Sequence, residues 1–208
     1  MKLAAAVTML AVAVLLVSER RESRAGVWIS KPLASLGFIV TAWLAGAQHS
    51  AYGRWLLVAL VLCAVGDVLL IPQRSTRAFL LGVAGFALAH GAYARAFVVR
   101  GVALPASAAT AALMAVVVLA TLRWLRDIPA DMRVPVRVYM AVIAVMVAAA
   151  AGTSAARSDP RFVLGAAAFA ISDLSVARER FVRPGFVNLV WGLPLYYAAQ
   201  LWLAFTAA

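Results

Sequence analysis

The amino-acid sequence predicts an all-α membrane protein, an eight-transmembrane-helix bundle, on three observations. Its 208 residues are 65% hydrophobic and only 13% charged, with a mean hydropathy of +0.95, well above that of water-soluble domains. The apolar residues fall into eight runs divided by short charged breaks. No run alternates with a period of two, and an open sheet in hydrocarbon would leave its edge amides unsatisfied, so each run reads as a helix.

The runs cover about residues 3–18, 27–47, 55–72, 78–99, 103–124, 134–152, 162–178 and 186–206, and a helix needs roughly 17 to 25 residues to cross the hydrocarbon. The first follows Lys2 and resembles the apolar core of a signal peptide. Ser18-Glu19-Arg20-Arg21 follows it where a small-x-small cleavage site would stand, so it reads as a retained helix. The second carries Lys31-Pro32 near its start, and the third holds Asp67 within VLCAVGDVLLI. On the fourth, Phe79, Gly82, Phe86, His90 and Tyr93 follow spacings of three and four and share one face. The fifth ends at the break from Arg123 to Arg133, and the sixth brings in Tyr139 near its start. On the seventh, Gly165, Phe169 and Asp173 recur every four residues; on the eighth, Gly192, Tyr196 and Gln200 do the same, with Tyr197 one step round. The chain reads as a single domain, 1–208.

Charge sets the expected orientation. The formal net charge is +11, and the 19 basic residues lie almost wholly in the connections, where they anchor topology and meet anionic headgroups. The first, third, fifth and seventh connections carry 12 of them and the opposite side, with Lys2, carries 6, which places both termini outside the cytoplasm. The arginine- and alanine-rich composition points to a bacterial cytoplasmic membrane. Basic residues scattered this way do not form the aromatic-interleaved patch of a nucleic-acid site, and no nucleic acid is expected as a partner.

An offset of 106 residues lays the first four runs on the last four and aligns Asp67 with Asp173, Arg77 with Arg183, Lys31 with Arg137 and His90 with Tyr196. Two four-helix parallel repeats, 1–102 and 103–208, related by a pseudo-twofold along the membrane normal, follow from that alignment.

Asp67 and Asp173 are the leading functional candidates. A carboxylate in hydrocarbon costs several kcal/mol or takes up a proton, so intramembrane acids face a cavity and mark a site. Each lies about five residues from the cytoplasmic end of its apolar run, roughly 8 Å deep at 1.5 Å per residue. Lys31 and Tyr139 enter at similar depth from other helices, and His90 deeper. Lys31 reads either as a snorkelling anchor or as a counter-charge. Other chemistries lack their residues: two histidines without HExxH offer no zinc set, and no G-x-S-x-G elbow is present. Ser172 points about 100° away from its neighbour Asp173 around the helix. Cys63 is the only cysteine and reads as a small buried residue.

Taken in order, Lys31-Pro32, Gly66-Asp67 with Val68-Leu69-Leu70, Phe79-x-x-Gly82, Ala89-His90-x-x-Tyr93, Tyr139, Gly165-Ala166 with Phe169, Ser172-Asp173 and Tyr196-Tyr197-x-Ala199-Gln200 resemble the YhhN-like lysoplasmalogenase family. Helix 1 carries no signature, and Val187 to Pro194, with Asn188 and Pro194, departs from the pattern. The resemblance implies hydrolysis of the vinyl ether bond of lysoplasmalogens (lysoplasmenylcholine or lysoplasmenylethanolamine), releasing a fatty aldehyde and the glycerophospho-headgroup. A vinyl ether is cleaved by protonating its β-carbon, after which water captures the oxocarbenium ion. Glycoside hydrolysis divides comparable work between two carboxyl groups, so Asp67 and Asp173 become the catalytic candidates, as a coupled pair. Lys31, His90, Tyr139, Tyr196, Tyr197 and Gln200 become the substrate-binding candidates. The alkenyl chain is expected among Phe86 and Phe169, with the headgroup toward Lys31, Arg74 or Arg77. The partners are a lysophospholipid substrate and membrane lipids; neither a metal nor an organic cofactor is required. A small proton-coupled transporter or lipid-binding protein would use the same acids, and a scaffold would use them as interhelical glue. Headgroup, oligomeric state and the division of labour between the aspartates stay open.

Overall fold

The structure, a computed structural model, describes residues 1–72, 75–125 and 128–207. These form eight α-helices and, among the described residues, no strand. In chain order they are α1 (Lys2–Arg20), α2 (Arg24–Leu44), α3 (Ala51–Leu69), α4 (Thr76–Arg100), α5 (Leu104–Trp124), α6 (Arg133–Arg157), α7 (Arg161–Phe181) and α8 (Phe186–Ala204). Serines set three of the starts: Ser23, Ser50 and Ser75 accept the amides of Gly26, Gly53 and Ala78 at 3.3, 2.9 and 3.2 Å. Each satisfies one of the four amides a helix start leaves without an intrahelical partner.

Helices α1 to α6 are long and apolar enough to cross a membrane, and the protein is an integral, multi-pass membrane protein. Of the remaining two, α7 carries several charged residues and α8 is an apolar run holding a few polar side chains. Ser172 and Ser175 of α7 and Asn188, Tyr196, Tyr197 and Gln200 of α8 are buried, so their polarity faces protein rather than lipid.

Consecutive helices pack as the hairpins α1–α2, α3–α4, α5–α6 and α7–α8. Contacts of α2 with α3 and α8, of α4 with α6, of α6 with α7 and of α1 with α8 assemble these into one bundle. Helices α3 and α4 cross closely at Gly66 and Gly85: a Cβ on Gly85 would lie 3.5 Å from the Gly66 Cα, and one on Gly66 would meet the Phe86 ring at 2.8 Å. Small residues at such crossings let helices gain dispersion contacts that lipid cannot supply. At the opposite end of α4, Thr153 donates to the Phe97 carbonyl at 3.0 Å and the Arg157 guanidinium donates to the Arg100 carbonyl. Those bonds satisfy the final carbonyls of α4 and tie it to α6.

Several boundaries differ from the sequence-based expectation, among them α3, which covers Ala51–Leu69, and α6, which runs on to Arg157. Helix α2 ends at Leu44, and Gly46 at φ +88° turns the chain into the short 3₁₀ segment Ala47–His49. Helix α7 runs past its apolar stretch to Phe181 because its last turn is held by specific partners. Arg178 donates to Asn188, whose amide donates to Glu179 at 2.6 Å and to the Arg183 carbonyl at 2.8 Å, while the Arg180 guanidinium sits 4.5 Å from the Phe79 ring centroid. Asp67 is therefore two residues from the end of α3 and Asp173 eight from the end of α7, rather than at matching counts.

The turn into α3 generates a test. A Cβ on Gly53 would lie 2.1 Å from the Ala47 carbonyl oxygen and 2.5 Å from its Cα, so backbone must move. Gly53→Ala is expected to cost about 1–3 kcal/mol, read as a lower thermal midpoint in detergent. An unchanged midpoint would contradict that packing.

Candidate functional site

Seven of the eight helices line a cavity of about 340 Å³. Its walls are mainly apolar: Phe79, Val83 and Phe86 of α4, Met114 and Val117 of α5, Ile143 and Val147 of α6, Ala167 and Ile171 of α7. A few polar groups converge on it: Lys31 from α2, Asp67 from α3, Tyr139 from α6, Ser172, Asp173 and Ser175 from α7, and Tyr196 from α8. An apolar pocket with a small set of convergent polar side chains is the usual form of a small-molecule site. Leu125 and Met132 line one part of the cavity and, with Ile128, pack against Phe79, Leu80 and Phe181. On its flank, Val117 and Ile171 line the cavity and are themselves exposed, at 39% and 50%.

The two carboxylates have separate partners. Asp67 Oδ2 accepts from Ser35 Oγ at 2.7 Å and from the Tyr196 hydroxyl at 2.9 Å, and Lys31 Nζ lies 3.9 Å from Oδ1. Lys31, Ser35 and Asp67 are all buried, so charge and hydroxyl donors compensate the carboxylate where water does not. Tyr197 stands behind this group, 3.3 Å from Ser35 Oγ and donating to the Lys31 carbonyl at 3.4 Å.

Asp173 Oδ2 accepts from the Tyr139 hydroxyl at 3.1 Å and lies 3.2 Å from His90 Nε2. The His90 ring is fully buried, stacked on Phe169 at 4.3 Å between centroids and edge-on to Tyr139 at 5.3 Å. Its other nitrogen, Nδ1, is 2.7 Å from the Phe86 carbonyl. Gln200 accepts from Tyr93 at 2.5 Å deeper in the core.

Of the residues singled out from sequence, Asp67, Asp173, Lys31, Tyr139 and Tyr196 line the cavity. His90, Tyr197 and Gln200 lie behind the lining, as does Phe169, which packs against Phe86, His90 and Tyr196. The chain wall is thus formed by α5, α6 and α7 rather than by Phe169. Arg77 does not line the cavity, and Arg74 lies outside the described residues. Ser35 is the residue the sequence reading missed. Its signal was its place four residues after Lys31, on the same face of α2. Among the described residues, no three His, Cys, Asp or Glu side chains stand grouped as metal ligands.

The model of the YhhN family matches residues 26–207. The chain belongs to the YhhN family. All seven cavity-lining helices lie within the match except for the first two residues of α2, and α1 lies outside it. This YhhN-family chain is also 30% identical over 187 residues to lysoplasmalogenase TMEM86A of Bos taurus, an alignment covering 86% of the chain and 72% of that protein. No solved structure matches.

The hydrogen bonds to Asp67 carry a prediction. Ser35→Ala is expected to cost about 1.5–3 kcal/mol, the usual range for a bond to a charged group. Combined with Asp67→Asn it should cost clearly less than the sum of the single changes. Thermal unfolding of the two single variants and the double variant in detergent measures this, and strict additivity would show that the bond contributes nothing.

Proposed function

We propose that the chain is a lysoplasmalogenase that hydrolyses the vinyl ether bond of lysoplasmenylcholine or lysoplasmenylethanolamine. The observation that carries the reading is that Asp67 and Asp173, from different helices and with different partners, line one mainly apolar cavity. Family membership and the likeness to a lysoplasmalogenase support it. The chemistry needs a carboxylic acid to protonate a carbon, a second carboxylate to meet the cation and activate water, and an apolar surface for the chain. The alkenyl chain lies against Met114, Val117, Ile143, Val147, Ala167 and Ile171, and reaches the cavity from the lipid side where Val117 and Ile171 are exposed. Lys31 and the cavity-facing hydroxyls of Tyr139 and Tyr196 hold the polar end.

All eight helices span the membrane in this reading, with the arginine-rich connections and the two carboxylates toward the cytoplasm and both termini outside it. The two halves are parallel repeats. Support comes from corresponding helix pairs: α1–α2 with α5–α6, α2–α3 with α6–α7, α3–α4 with α7–α8, and α4–α6 with α8–α2. Further support lies at the site, where Asp67 is bonded by Tyr196 and Asp173 is paired with His90, each acid meeting the matching position of the other half.

Asp67→Asn and Asp173→Asn are each expected to slow aldehyde release from lysoplasmenylcholine in detergent by about 10²- to 10⁴-fold, with folding retained. Wild-type hydrolysis in D₂O should place one deuterium on carbon 2 of the promptly trapped aldehyde. Full activity in either folded variant, or an intact vinyl ether with wild-type protein, overturns the proposal.

A further inference from the structure

We infer that a second, polar cavity beside the last turn of α7 holds the zwitterionic headgroup of the substrate, with Arg180 on its phosphate and Asp131 facing its ammonium or quaternary ammonium group. The identity of the ligand rests on the proposed vinyl ether hydrolysis. The charge pattern that selects it does not.

This cavity, also of about 340 Å³, is lined by Thr76 of α4, by Pro129, Asp131 and Met132 of the α5–α6 connection, and by Arg180 and Phe181 of α7. Met132 and Phe181 line the main cavity as well, so the two adjoin. Their characters differ. The main cavity is walled chiefly by apolar side chains, whereas Thr76, Asp131 and Arg180 are exposed and set a hydroxyl, a carboxylate and a guanidinium around one small space.

The two charges decide what fits. An anion alone would be repelled by Asp131, and a cation alone by Arg180. Among the described residues no ion pair joins the two; the Arg180 guanidinium lies instead over the Phe79 ring, 4.5 Å from its centroid. A guanidinium resting on a ring face is held in place while its N–H groups stay available to an acceptor. Opposite charges kept apart on the wall of one cavity suit a ligand that carries both. Phosphocholine and phosphoethanolamine do, with two carbons between the phosphate and the nitrogen. Arginine donates to phosphate oxygens through its planar fork, and Thr76 adds a hydroxyl donor. A quaternary ammonium has no hydrogen to donate, so Asp131 meets it as a charge only.

Helix α7 also sets the spacing. Asp173, Ala177 and Arg180 follow at intervals of four and three residues, on one face, and Asp173 and Ala177 line the main cavity. Arg180 is thus roughly 10 Å along the helix from Asp173, at 1.5 Å per residue. In a lysoplasmalogen the glycerol carbons and one ester oxygen separate the vinyl ether oxygen from the phosphorus, and that span together with the reach of the arginine side chain covers the distance. Lys31, Tyr139 and Tyr196, which gather at the carboxylates, then meet the glycerol oxygens, and the headgroup lies beyond them.

Three alkenyl substrates separate the charges: lysoplasmenylcholine, the corresponding phosphate monoester without choline, and alkenylglycerol without phosphate. Aldehyde release by purified protein in nonionic detergent gives KM and kcat for each. Arg180→Gln is expected to raise KM for lysoplasmenylcholine about tenfold and to narrow its preference over alkenylglycerol by a similar factor, with Arg180→Lys in between. Asp131→Asn should raise KM for lysoplasmenylcholine about threefold, the scale of an exposed charge pair, and lower it for the phosphate monoester. Damage to the fold does not move two substrates in opposite directions. A preference over alkenylglycerol that survives in folded Arg180→Gln, or a parallel shift of both phosphorylated substrates in Asp131→Asn, overturns the inference. If Arg180→Gln does not fold, the exposed Asp131→Asn carries the test alone. If the wild type releases no aldehyde, the hydrolase reading fails, and titration with the saturated alkyl ether analogue of lysoplasmenylcholine still decides the site: binding about tenfold weaker in Arg180→Gln supports it, and equal affinity overturns it. Loss of affinity confined to diacylphosphatidylcholine would give the cavity to a bilayer lipid and overturn it as a substrate site.

Discussion

The structure depends on one constraint: a carboxyl group removed from water must be compensated, by partners or by a proton. Two such groups sit inside this bundle, and each is met by side chains from two other helices. Asp67 of α3 gathers Lys31 and Ser35 of α2 and Tyr196 of α8; Asp173 of α7 gathers His90 of α4 and Tyr139 of α6. Six helices are therefore tied at two points by polar contacts, where dispersion alone would leave them free to slide. The Gly66–Gly85 crossing and the aromatic layer of Phe86, Phe169 and Tyr196 then fix the distance between the ties.

The aromatic layer also holds a histidine in place behind the cavity lining. Stacked on Phe169 and bonded through Nδ1 to the carbonyl one turn back, the His90 ring has one orientation. Its remaining nitrogen is fixed toward Asp173. A single helix supplies both the ring and the carbonyl that orients it.

Much of this was legible in the sequence, because lipid makes polarity conspicuous. A lone Asp in VLCAVGDVLLI or a Lys inside an apolar start has few readings, and Asp67, Asp173, Lys31, Tyr139 and Tyr196 do line one cavity. What sequence could not separate was lining from backing. His90, Tyr197, Gln200 and Phe169 share faces with the lining residues, and which of two adjacent positions on a helix reaches the cavity depends on how closely its neighbours pack. Ser35 escaped because serine is common in membrane helices and acquires meaning only when Asp67 is opposite. The end of α7 escaped because Arg178-Glu179-Arg180 reads as a break until Asn188 and Phe79 provide partners.

Helices α1 and α5 take no part in either polar tie. α5 packs chiefly on α6, and Thr121 is its one buried residue. In lipid, an apolar helix face gains little by choosing protein over acyl chains, since both offer similar dispersion contacts. The wall that α5 contributes is accordingly held at low cost and can be traded, contact for contact, with the surrounding hydrocarbon. The bilayer is then a component of the cavity as much as its surroundings, and acyl-chain thickness and order become variables of the site.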